Sequence, residues 1–184
     1  MKLAIGWLAL ALAIFAALIM QEFIPRLDGL NGARVLLVPM LFFYGALTMP
    51  VWAMLLLAVY SGLVMDLMSL QIISGQVEIA LGWSIVYFVI FGLLAHGFHP
   101  AFQRGHWWLH TLIAAVGTSL YLALQYAMIS FRREGFVFNE LVVWRILAPG
   151  LIAALFAPLV HLIAVQAGHL IPGLSSSRRY RLER

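Results

Sequence analysis

The sequence predicts an all-α integral membrane protein, a bundle of about six transmembrane helices, and three observations carry that prediction. Of 184 residues, 64% are hydrophobic and only 10% charged, whereas a soluble domain has about a quarter of its residues charged. Apolar runs recur at about the 20-residue length that crosses a hydrocarbon core of roughly 30 Å. The polar segments between them are short, so the chain reads as one polytopic membrane domain, residues 1–174, followed by a basic tail, 175–184. No stretch remains to build a second, water-soluble domain.

The first span is expected over residues 3–20, directly after Lys2. It lacks a small-x-small cleavage site before the polar "QEF", so it reads as a retained helix and not as a secretory signal. "QEFIPRLDGLNGAR" follows, charged and broken by Pro25 and its glycines, as a loop. The second span, 35–48, is short and contains Pro39, which calls for tilt, a kink or shielding by neighbours. Met49-Pro50 makes a tight turn into the third span, residues 51–68, and "SLQIISGQ" is the next polar break, with Gly75 giving turn freedom. The fourth span is expected over 77–94 and the fifth over 109–129. "HGFHPAFQRGHWW" between them has histidines, Arg104 and paired tryptophans, the composition of a membrane–water interface. "SFRREGFVFNE" is a further loop, and the sixth region, 141–171, is too long for one perpendicular span. Pro149 and Pro158 are expected to interrupt it, with Arg145 in the interface.

Charge orients the chain. An even number of spans puts both termini on one side, and the tail "RRYRLER" votes for the cytoplasm and anionic headgroups. The inner segments then carry Lys2, Arg104 and four tail arginines, against Arg26, Arg34, Arg132, Arg133 and Arg145 outside. The tail decides the orientation. There are no cysteines, which removes disulfides, thiolate metal sites and a cysteine nucleophile.

Small residues point to helix packing. Ala9, Ala13 and Ala17 recur every four residues on the first helix, a face that another backbone can approach and a candidate partner surface. Ala58, Gly62 and Asp66 do the same on the third. A carboxylate near the middle of a membrane helix costs about 2.5–3.5 kcal/mol on insertion scales, so Asp66 is expected to face protein. Its expected role is structural: to cap or bridge the turn after the third helix, or to pair within the bundle.

Each candidate for chemistry has a plainer use. His96 and His99, like His106 and His110, stand at helical spacings that can bind zinc, but neither pair encloses the glutamate of the HExxH pattern and no third ligand is near. Interfacial anchoring accounts for the segment. His161 reads as a polar contact between helices. Ser61-Gly62 and Ser74-Gly75 lack the accompanying base that an intramembrane serine protease needs. Glu78 falls at a helix start, where the dipole favours a carboxylate; with Asp66 it could also bind a cation. No phosphate loop or nucleic-acid module is present, and no metal, cofactor or nucleic-acid partner is expected.

The stretch "ARVLLVPMLFFYGALTMPVWAMLLLAVYSGLVMDLMSLQIISG" resembles the rod shape-determining protein MreD family. The resemblance rests on Pro39, Pro50, Gly62, Asp66, Leu67 and Gly75: a proline-bearing second helix, a short turn, then glycine, aspartate and leucine closing the third helix before a loop glycine. It implies a non-enzymatic subunit of the bacterial inner membrane that associates with MreC and, directly or indirectly, with MreB, RodA and a penicillin-binding transpeptidase. Such a subunit holds peptidoglycan-synthesising enzymes and a cytoskeletal filament in one assembly. The family's fold is similar to the substrate-binding membrane subunit of energy-coupling-factor vitamin transporters. That likeness supplies a rival expectation, a small-molecule carrier with Asp66, Glu78 and Arg145 as candidate ligands.

Overall fold

The computed structural model describes residues 2–25, 27–30, 32–68, 72–73, 76–77, 82–132, 135–136 and 138–170. Seven α-helices make up most of it: α1 (Lys2–Phe23), α2 (Val38–Thr48), α3 (Val51–Met68), α4 (Trp83–His96), α5 (His99–Gln103), α6 (Trp108–Arg132) and α7 (Glu140–Leu170). Between α3 and α4 lies a two-stranded antiparallel hairpin, β1 (Ile72–Ile73) and β2 (Gln76–Val77), with Ile72 opposite Val77.

Four helices, α1, α3, α6 and α7, are long and apolar enough to cross a membrane, and α2 and α4 are shorter apolar helices. The chain is a helical membrane protein on that ground. At 1.5 Å per residue, α2 is only about 16 Å long and α4 about 21 Å, less than the roughly 30 Å core. The expected second span therefore contracts to Val38–Thr48 and the fourth to Trp83–His96. Val77 belongs to β2, not to a helix.

The shortest apolar helix is the most enclosed. Nine residues of α2 are buried, among them Met40, Phe42, Phe43, Tyr44 and Leu47, and α2 contacts α1, α3, α4, α5, α6 and α7. A helix surrounded by protein need not match the bilayer thickness. Pro39 does not kink it; it lies in the first turn, where its missing N–H has no helical partner to lose. Pro50 separates α2 from α3. Met49 ahead of it is extended, with φ −100° and ψ 157°, as a residue before proline prefers, and the Pro50 carbonyl then accepts the Met54 N–H at 3.0 Å to start α3.

The main core is aromatic and aliphatic. Phe42 meets Phe43 edge-on at 5.4 Å and Phe88 at 4.7 Å, and Tyr121 closes over Phe88. Cross-helix contacts set the directions. Trp7 Nε1 donates to the Ala53 carbonyl at 3.2 Å, and Gln21 Nε2 lies 3.6 Å from Met65 Sδ, so α1 and α3 run parallel. Asp66 faces the start of α4, while a methyl group on Gly62 would meet the Ile85 backbone at 2.5 Å and one on Gly92 would meet Met54 Sδ at 2.9 Å, so α3 and α4 run antiparallel.

Two expectations are corrected by this packing. The Ala9, Ala13 and Ala17 face is not an open partner surface: Ala17 is buried, Ala9 packs on the main core and Ala13 is half-buried. The lipid-facing stripe of α1 is Ile5, Leu8, Leu12, Phe15 and Ile19. Small residues stand where α1 must approach its own neighbours closely. Second, α7 continues through Pro149 and Pro158 as one helix. Each proline removes one helical hydrogen bond, a loss that neighbouring helices can make good in a membrane bundle. Gly150 aids this by letting α7 pack against Ser119 and the Ala115 carbonyl of α6.

Candidate functional site

At one end of the bundle, where α1, α3 and α6 finish and α4 begins, polar groups converge. Asp66 is 3% exposed. One of its carboxylate oxygens accepts the Gly82 N–H at 2.6 Å and the other accepts the Ser84 N–H at 3.2 Å. These are donors at the start of α4 that have no acceptor within their own helix, and the positive end of the helix dipole adds to the attraction. Gly82 has φ +97°, a left-handed conformation that glycine alone adopts without steric strain. Asp66, in the last turn of α3, thus fixes the entry to α4.

From there a chain of hydroxyls and an amide crosses to α6. Ser84 Oγ and the Tyr121 hydroxyl lie 2.9 Å apart, and Gln125 Nε2 donates to the same hydroxyl at 2.7 Å. Tyr87, one turn along α4, donates its hydroxyl to the Gly117 carbonyl. Gln21 serves the start of α2: its Oε1 accepts the Leu37 N–H at 3.1 Å. Beside this network is a cavity of about 180 Å³, whose polar lining is Gln21, Glu22, Arg34, Tyr121 and Gln125. Its apolar wall includes Leu18, Leu36, Met65 and Leu122.

At the opposite end, histidines close α2. His96 Nδ1 lies 2.9 Å from the Ala46 carbonyl and His99 Nδ1 2.7 Å from the Leu47 carbonyl. Both carbonyls belong to the last turn of α2, which lacks helical donors. The geometry calls for the tautomer with the proton on Nδ1. His99 Nε2 can then accept from Gln103 Nε2 at 2.6 Å. The two imidazoles stack at 4.9 Å. Beyond the expected interfacial role, His96 and His99, both half-buried, serve the open carbonyls at the end of α2. The interfacial reading is corrected for His110, which is 0% exposed and bonds the Met40 carbonyl through Nε2 at 3.1 Å. Arg104, His106, Trp107 and Trp108 are exposed.

The remaining candidates are placed as follows. Leu67 is exposed, on the outer face of α3. Ser61 is fully buried, and its Oγ has no hydrogen-bond partner among the described residues. His161 stands with its ring 6.2 Å from Tyr44 and 5.6 Å from Phe102. Gly75, Ser74, Glu78 and the 171–184 tail lie outside the described residues. Of the ligand set expected for a carrier, Asp66 holds the start of α4 and Arg145 is exposed on α7, with its guanidinium about 4.0 Å from the position of a methyl on Gly32. Among the described residues no group of three histidine, cysteine or acidic side chains could hold a metal ion.

Sequence reasoning singled out Asp66 but missed Gln21, Ser84, Tyr121 and Gln125. The available signal was two glutamines near the ends of apolar runs, one of them four residues after a tyrosine and so on the same helix face. Comparison with protein-family models, curated proteins and solved structures gives no significant match to this chain.

Proposed function

We propose that the chain is a non-enzymatic scaffold subunit of the bacterial cell-elongation machinery. It would sit in the inner membrane with both termini cytoplasmic. Its partners would be MreC and, directly or indirectly, MreB, RodA and a penicillin-binding transpeptidase. The observation that carries this reading is the use made of the resemblance residues. Pro39 opens α2, Pro50 separates α2 from α3, Gly62 permits the α3–α4 crossing and Asp66 pins the start of α4. All four build one α2–α3–α4 unit and leave the lipid-facing surfaces of α1, α3 and α7 as long apolar faces. Catalysis would need a nucleophile, a base and a charge stabiliser brought together. The buried or half-buried Asp66, Ser84, Tyr121, His96 and His99 are instead engaged in holding helices.

A substrate-binding subunit of a vitamin transporter is the second reading, and the cavity is the observation in its favour. Its volume of about 180 Å³ falls below the roughly 300–1,000 Å³ of sites that enclose drug-sized ligands. This cavity is therefore small for a vitamin-sized ligand. Isolation in mild detergent at native expression, followed by mass spectrometry of proteins and small molecules, separates the two. Recovery of MreC supports the scaffold and retention of a vitamin supports the carrier. Depletion in a rod-shaped host is expected to give rounded cells. Unchanged shape with loss of uptake of one vitamin would overturn the scaffold reading.

A further inference from the structure

We propose that the cavity between α1 and α6 binds a zwitterionic phosphate–ammonium head, the chemistry of phosphatidylethanolamine, with the acyl chains left outside in the bilayer. The inference starts from charge. Glu22, in the last turn of α1, and Arg34, just ahead of α2, both line the cavity and are both exposed. Among the described residues neither has an ion-pair partner. A guanidinium offers paired donors to phosphate oxygens, and the carboxylate matches an ammonium group. An anionic head would leave Glu22 without a counterpart, and a simple cation would leave Arg34 without one.

The neutral lining fits the same ligand. Gln125 and Gln21 line the cavity, and beyond the bonds already described each keeps a second amide N–H, which suits an ester or phosphate oxygen. The cavity of about 180 Å³ equals about six water molecules at roughly 30 Å³ each, room for a headgroup and not for a whole lipid. Leu18 of α1 and Leu122 of α6 both line it. On α1, Ile19 and Phe15 are exposed and lie three and seven residues before Glu22, on the same helix face. They continue the site as an apolar track into the hydrocarbon. Glu22 and Arg34 lie at the ends of apolar segments, the level at which headgroups sit.

The test uses the full chain, purified in mild detergent and delipidated, then mixed with equal amounts of dioleoyl phosphatidylethanolamine and dioleoyl phosphatidylglycerol. Native mass spectrometry is expected to show one phosphatidylethanolamine per chain, favoured over phosphatidylglycerol by about fivefold, the size of one exposed charge pair. Glu22→Gln and Arg34→Gln should each reduce that occupancy by a similar factor while leaving the melting temperature unchanged. Soluble glycerophosphoethanolamine, tested on the unaltered chain, shows whether the head alone suffices: displacement of the lipid identifies a site that a free head can fill, and resistance identifies the intact lipid as the ligand. Equal occupancy by the two lipids, or full retention of phosphatidylethanolamine in Glu22→Gln, overturns the proposal. The lipid comparison needs no variant, so it decides the matter even where a substitution impairs folding.

Discussion

Asp66 shows how one side chain can be both a burden and a fastener. Its two oxygens hold two backbone N–H groups, at Gly82 and Ser84, and each hydrogen bond to a charged group is worth about 1.5–3 kcal/mol. Asparagine keeps one acceptor oxygen but turns an NH₂ group toward the second donor; leucine removes both acceptors. Thermal unfolding in detergent should rank the original chain above Asp66→Asn, and that above Asp66→Leu. The expected losses are about 1–2 and 2–4 kcal/mol, from unsatisfied buried donors. Equal losses would mean that the charge, and not the pair of acceptors, is what matters. Gly62 is the second decisive residue. Any Cβ there would stand 2.5 Å from the Ile85 N and Cα atoms, and backbone cannot swing aside as a side-chain tip can. Gly62→Ala should destabilise by about 1–3 kcal/mol through overpacking. A melting temperature unchanged in Gly62→Ala would show that α3 and α4 are farther apart than described.

At the scale of elements, α2 is unusual in having both ends served by other segments. Gln21 of α1 accepts the Leu37 N–H at its start. His96 and His99 reach the Ala46 and Leu47 carbonyls at its finish. An eleven-residue helix is too short to be stable on its own in water, and in a bundle its open ends must find partners because lipid supplies none. The double change His96→Ala with His99→Ala should cost about 1–3 kcal/mol, summing two modest hydrogen bonds. Hydrogen exchange should rise first in residues 45–49. A uniform rise across all helices would instead point to global loosening. His99→Asn, which keeps an N–H donor, should recover part of the loss.

For the molecule as a whole, each apolar helix reverses the direction of the one before it. The start of α1 and the end of α7 therefore share one end of the bundle with the α2–α3 turn and α5. The cavity, the hairpin and the loop after α1 share the other. Reporter fusions after Arg184 and within residues 25–31 should report opposite sides of the membrane, with the carboxyl end cytoplasmic. A periplasmic carboxyl end would invert the assignment and place the cavity on the cytoplasmic face. Partner contacts, on the scaffold reading, belong to the outward stripes. Tryptophan replacements at Leu8 and Leu12, both exposed, should weaken recovery of MreC while leaving the chain inserted. The same replacements at Ala17 should reduce the folded chain itself.

Three properties are legible in the residues alone: that the chain enters a membrane, roughly where its apolar segments lie (the start of α4, six residues later than expected, excepted), and that Asp66 faces protein. Length, composition and the insertion cost of a carboxylate are local quantities, so they can be read without a fold. Which apolar faces meet protein and which meet lipid is settled by tertiary packing. In water the two sides of a helix differ in polarity, but in a bilayer both are apolar, and hydropathy cannot separate them. That is why the Ala9, Ala13 and Ala17 face reads as a partner surface although Ala17 is buried and Ala9 packs on the core, and why the shortness of α2 left tilt, kink and shielding open until packing decided for shielding. Hydrogen-bond partners were equally hidden. Asp66 finds its donors sixteen and eighteen residues away, and His96 and His99 find their carbonyls fifty and fifty-two residues away. Such pairings follow from how helices pack, because a buried polar group in a bundle takes the partner that packing brings to it.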